Sequence, residues 1–169
     1  MMVISSASDM AQVEAGFSPA AAALMVSVLS LFNAGGRASA GILSDKLGRI
    51  GTLSLVFPIS VAALCALFFF GQDSMAVFAV SIALVGACFG ALMGIFPGFT
   101  ADEFGQRNNT VNYGILFFGF ALSGMLGPQV ASWVMSGTGS YRSAFLIAAV
   151  VALAGFALTF LHRRLAARS

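Results

Sequence analysis

The sequence predicts an all-α fold, a polytopic membrane helix bundle of five to six transmembrane helices, and three observations carry that expectation. Hydrophobic residues make up 59% of the 169-residue chain and charged residues only 8%, against about 25% charged in soluble domains. The apolar residues fall in long runs, and a helix needs about 20 of them to cross the hydrocarbon layer. The breaks between runs are short and rich in Gly, Pro and polar residues, so no soluble domain fits between them. The chain reads as one membrane domain, residues 1–169.

Residues 1–12 read as the closing turns of a helix cut short at its start. Residues 1–16 hold Asp9 and Glu14 but no Lys or Arg, which does not suit a secretory leader. The first clear span, residues 19–42, follows Phe17-Ser18-Pro19, where Ser18 can cap and Pro19 suits the first turn. Residues 50–71 end at Gly71-Gln72-Asp73, and residues 74–98 end at Pro97-Gly98. Residues 111–135 follow a polar loop from Thr100 to Thr110, with a kink expected at Gly127-Pro128. Residues 142–161 precede the basic tail His162 to Ser169.

Lys and Arg bias orients these spans. Lys46, Arg49, Arg107, Arg163, Arg164 and Arg168 fall on one side and Arg142 on the other. That predicts an integral membrane protein, in the plasma (inner) membrane, with the N-terminus outside and the C-terminus cytoplasmic. A net charge of +2 gives no footing for nucleic acid. Cys65 and Cys88 sit in apolar runs without C-x-x-C spacing and read as packing residues. Gly86, Gly90, Gly94 and Gly98 recur every four residues, and Gly114, Gly119, Gly124 and Gly127 follow two spans later. Such smooth faces serve tight helix packing, and they also let helices slide.

Three groups of residues are candidates for chemistry. Arg37 lies within the first clear span, where an arginine costs about 2.5–3.5 kcal/mol at the bilayer centre and so must face protein or water. Ser30, Asn33, Arg37, Gly41 and Ser44 share one polar stripe at helical spacing, and a guanidinium fork there suits a carboxylate. Arg37 equally fits snorkelling to the nearby surface, or a structural pair with Asp45 or Asp102. The stretch Gly41 to Arg49 is a tight charged turn. In it Asp45 can cap the next helix and pair with a basic residue, so that Gly41, Asp45, Lys46, Gly48 and Arg49 form a gating loop; ordinary solvation and topology control also account for Lys46 and Arg49. Tyr113, Phe117 and Phe120 share a helix face, which either lines a cavity or faces core and lipid. His162 stands alone and reads as interfacial. No catalytic constellation, nucleotide loop, metal-ligand set or cofactor motif occurs, so no enzyme activity, metal or cofactor is expected.

The spacing G-x-x-x-D-x-x-G-R over residues 41–49, with Asn33-Ala34-Gly35-Gly36-Arg37 before it, resembles the eighth helix and following loop of major facilitator superfamily transporters. Pro97-Gly98-Phe99-Thr100-Ala101-Asp102-Glu103-Phe104-Gly105, then Asn112-Tyr113-Gly114 and Gly127-Pro128, resembles the oxalate/formate antiporter family more narrowly. The resemblance spans nearly the whole chain. It implies the C-terminal half of a twelve-helix carrier, with residues 1–12 ending helix seven and the five spans forming helices eight to twelve. The function implied is secondary active transport of a small organic anion, oxalate/formate-like or a monocarboxylate. In that family a helix-eight arginine helps bind the carboxylate, and Arg37 occupies the matching place; Asn33 of the polar stripe and Tyr113, Phe117 and Phe120 of the aromatic face are the other expected substrate-site residues. The family's oxalate carriers add a helix-eleven lysine, which aligns with Phe120, and no lysine lies in this span. A monocarboxylate such as formate, lactate or pyruvate is therefore expected over oxalate. The implied partners are the anion, membrane lipid, and a missing N-terminal six-helix half or a partner carrier. The alternative is a truncated, non-transporting membrane interaction module.

Overall fold

The computed structural model describes residues 2–166, so Met1 and the tail from Ala167, including Arg168 of the charge tally, lie outside the described residues. Two short helices open the chain, α1 (Met2–Ser5) and α2 (Ala7–Ala15), which meet at Ser6. Long helices follow: α3 (Pro19–Leu47), α4 (Arg49–Phe70), α5 (Met75–Phe104), α6 (Asn109–Thr138) and α7 (Arg142–Ala166). A 3-10 turn at Gln106–Asn108 precedes α6. All five long helices are apolar and long enough to cross a membrane, so the expected all-α polytopic bundle is the observed fold.

Local chemistry sets the helix ends. The Ser18 hydroxyl accepts the Ala21 N–H at 3.3 Å, with Pro19 in the first turn of α3. The Ser74 hydroxyl does the same for Val77 at the start of α5, at 3.4 Å. Gly139 closes α6 in the left-handed region, returning its N–H to the Met135 carbonyl at 2.8 Å. The helices outrun the apolar runs, however. α3 continues to Leu47 rather than ending near 42, and α5 to Phe104 rather than 98. Hydropathy marks where hydrocarbon ends, whereas a helix stops only where its end groups find other partners. The predicted charged turn therefore shrinks to Gly48, held at φ +76°. Asp45 lies inside α3, and α4 begins without a side-chain cap, so the expected capping role of Asp45 is not observed.

Packing follows the glycines. A methyl group on Gly86 would come within 2.9 Å of the Leu29 carbonyl oxygen, and one on Gly94 within 2.8 Å of that of Arg37; Gly90 lies as tightly on Asn33. The pairs advance by four on both helices, so α3 and α5 run parallel with their backbones in contact. α4 and α7 run antiparallel: Phe57 packs on Gly155, and Arg142 reaches Phe68. Between these pairs lie two apolar clusters. One holds Met10, Leu67, Phe78, Ile82 and Phe145, with Cys65 packed against it; the other holds Val56, Cys88, Ala91 and Ile95. α6 is peripheral, and Ala131 is its one fully buried residue among those described.

Candidate functional site

The polar stripe of α3 runs along the edge of the α3–α5 seam. Gly36, Ala40 and Ser44 are buried in the seam, Asn33 is half-buried, and Arg37 is exposed. Because α3 extends to Leu47, Arg37 sits eight residues before Asp45, about 12 Å along the axis at 1.5 Å per residue. It is deeper within the helix than a loop starting at residue 43 implied. Of the acids considered as its structural partners, both belong to another arginine. Arg49 Nη1 donates to Asp45 Oδ1 at 2.9 Å, and Arg49 Nε donates to Asp102 Oδ2 at 3.2 Å. Among the described ion pairs, Arg37 has none.

Arg49 is thus the hub of the charged cluster. Its Nη1 also donates to the buried Ser44 hydroxyl, and its guanidinium lies over Gly98, where a methyl group would approach Cζ to 2.8 Å. Gly98 is the bed of an arginine as well as part of a smooth helix face. The arrangement ties the α3–α4 junction to the end of α5. Gly41 faces open space, and Lys46 is exposed beside the hub. Thr100 and Asn109 brace the neighbouring α5–α6 connection, the Thr100 hydroxyl lying 2.8 Å from Asn109 Oδ1.

The aromatic residues of α6 form a continuous ladder. Ring centroids of Tyr113 and Phe117 are 5.6 Å apart, and those of Phe117 and Phe120 are 5.0 Å apart. Phe120 then stacks on Phe89 of α5 at 5.6 Å, a contact that sequence periodicity alone did not single out. Both α3 and α6 pack against α5, so α5 joins the ladder to the arginine stripe: Phe89 and Gly94, the Arg37 contact, are five residues apart, about 7.5 Å along the axis. Phe89 also lines a cavity of about 460 Å³, with Phe57, Leu64, Leu92 and Val151 and with Ser60 and Ser123. It offers no cation and does not suit an anion.

Several polar contacts lay beyond the sequence reading. His162, expected to stand alone, approaches Glu103 with Nε2 3.4 Å from Oε2 and lies edge-on to Phe99, with centroids 5.8 Å apart. A signal for this was present: Asp102 and Glu103 occupy the last turn of α5, where the helix dipole disfavours anions and basic partners are needed. At the other end of the bundle, Glu14 of α2 is buried and accepts hydrogen bonds from the Gln72 amide, from the Ser140 hydroxyl at 2.9 Å and from the Tyr141 backbone N–H. Arg142 donates through Nε to the Phe68 carbonyl at 2.8 Å, covering the C-terminal end of α4, and its guanidinium lies 4.8 Å from the Phe68 ring centroid. Burial and the charges of Asp9 and Glu14 push the Tyr141 phenol above its ordinary range.

Comparison with known proteins gives one consistent pattern. The model of the Major Facilitator Superfamily matches residues 1–169. The chain is 37% identical over 122 residues to the MFS-type transporter YhjX of Escherichia coli, covering 72% of this chain and 30% of that protein. It is 31% identical over 141 residues to the oxalate:formate antiporter of Oxalobacter formigenes, covering 83% and 34%. It is 27% identical over 147 residues to monocarboxylate transporter 12 of Xenopus laevis, covering 86% and 31%. The chain spans about a third of the length of the curated relatives it matches.

Proposed function

The chain belongs to the major facilitator superfamily, and from that premise we propose that it forms one wall of a secondary carrier for a small organic monoanion. Arg37 anchors the carboxylate, Asn33 sits beside it, and the rings of Tyr113, Phe117 and Phe120 line the apolar side of the path. The observation that carries this reading is the division of labour between two arginines. Arg49 takes both nearby acids, Asp45 and Asp102, and leaves Arg37 as an exposed cation on a membrane-crossing helix. An anion supplies the charge that Arg37 lacks among the described ion pairs. With an aromatic ring at Phe120 and no second cation in α6, the charge match favours a monocarboxylate such as formate, lactate or pyruvate over a dicarboxylate. The names of two relatives, an oxalate:formate antiporter and a monocarboxylate transporter, support the substrate class.

The cluster of Gly41, Asp45, Lys46, Gly48 and Arg49 acts as the gate of this wall, closing the α3–α4 junction against the end of α5 until transport parts them. The facing wall comes from a second six-helix bundle, and the Lys and Arg bias supports an orientation with the Arg49 end in the cytoplasm and the N-terminus outside. Replacing Arg37 by Gln in the full-length carrier, reconstituted in liposomes, tests the reading by uptake of labelled formate or lactate. A charge-assisted, bidentate contact predicts a loss of apparent affinity of about tenfold or more. Arg37→Lys should recover only part of it, because an ammonium lacks the planar fork. Unchanged affinity and rate in Arg37→Gln would sink the role of Arg37.

A further inference from the structure

Glu14 is the one charged side chain among the buried described residues, at 7% exposure. A buried carboxylate is costly unless its lone pairs are satisfied, and here the donors come from two separate connections. Gln72 belongs to the α4–α5 turn; Ser140 and Tyr141 belong to the α6–α7 turn. The Gln72 amide also lies 3.3 Å from the Ser140 hydroxyl, so both turns meet at one carboxylate. The charged and titratable groups around it are Asp9 on α2, Asp73 in the α4–α5 turn, and Tyr141 and Arg142 at the α6–α7 turn. Arg142 is committed to the Phe68 carbonyl and ring. The neighbouring turns of α3 (residues 19–26) and α5 (residues 75–82) bring no titratable group. Among the described residues no cation therefore neutralises Glu14; neutral donors hold it.

We propose that Glu14 is a clasp closing the end of the bundle opposite Arg49, binding the α4–α5 and α6–α7 turns together through its negative charge. The two ends then close by opposite means: a cation gathers carboxylates at one, and a carboxylate gathers neutral donors at the other. Hydrogen bonds to a charged acceptor are stronger than neutral ones, so removing the charge while keeping the shape frees both turns without emptying the site. This inference concerns the bundle's own closure and does not rest on the anion reading.

Hydrogen exchange of the purified full chain in lipid nanodiscs, wild type against Glu14→Gln, tests it. Amides of residues 72–74 and 140–142 should lose about tenfold or more in protection in the variant, while those along the α3–α5 seam and around Arg49 stay as in wild type. Unchanged protection at both turns would overturn the clasp, and so would an equal loss throughout the bundle, which marks a general destabilisation. Should Glu14→Gln not fold, Gln72→Leu decides the matter, because among the described residues the Gln72 side chain bonds only Glu14 and Ser140: protection should fall at residues 72–74 and persist at Tyr141, whose N–H Glu14 still accepts. If Gln72→Leu leaves residues 72–74 as protected as in wild type, the clasp is overturned.

Discussion

Arg37 and Arg49 carry the same guanidinium, and their neighbours make one a candidate ligand-binding group and the other a strut. Arg49's partners are well exposed, Asp45 at 69% and Asp102 at 60%, so each pair is screened by water. A double-mutant cycle between Arg49 and Asp102 should give a coupling of no more than about 1 kcal/mol, shrinking as salt rises. Tyr141 offers a titration. Its raised pKa means the native state keeps a proton that the unfolded chain loses, so its contribution to stability is complete below about pH 10, the unfolded phenol value. That contribution is lost as the pH rises through the folded value. In a Tyr113→Phe chain, tyrosinate absorbance should develop only above the ordinary phenol range, and Glu14→Gln should move it to lower pH. No movement would show that the Glu14 charge does not reach the ring. Arg37, Tyr113 and Phe120 could be picked out from residue type and helical spacing. Glu14 could not, since Gln72 and Ser140 lie 58 and 126 residues away and nothing local announces them.

Adjacent glycines on α3 separate packing from mere composition. A methyl group on Gly36 collides with the Ala87 backbone, while one on Gly35 meets nothing within 4 Å. Gly36→Ala should therefore cost about 1–3 kcal/mol through overpacking, whereas Gly35→Ala should be neutral or stabilise by up to about 1 kcal/mol through helix propensity. Unfolding in detergent compares the two directly, and equal effects would disprove the backbone contact. The four-residue glycine repeat of α5 made a smooth face legible in the sequence. Its partner was not legible, because a smooth face fits any helix whose backbone can approach. The same limit applied to the helix ends: Ser18 with Pro19 gave the start of α3 correctly, but charged residues were read as loop when they continued the helix as far as Gly48 and Gly105.

For the whole molecule, apolar length made the all-α bundle readable, because the need to pair every backbone group within hydrocarbon leaves few alternatives. The relative placement of α3, α5 and α6 was not readable, since non-neighbouring contacts depend on shape rather than pattern. The proposed orientation predicts that single cysteines at Asn108 and Gln72, in chains with Cys65 and Cys88 replaced by Ser, react from opposite sides of the membrane. Asn108 should label from the cytoplasm and Gln72 from outside; the reverse would invert the topology. The parallel seam between α3 and α5 also has a consequence for how the protein is made. Leu29, Asn33 and Arg37 meet Gly86, Gly90 and Gly94, almost sixty residues further along the chain. At ordinary synthesis rates that separation takes on the order of several seconds. During that interval the nascent arginine helix has left the ribosome and its docking surface has not yet been translated. The α3 backbone that Gly86, Gly90 and Gly94 will cover therefore stays without its packing partner until α5 has been made.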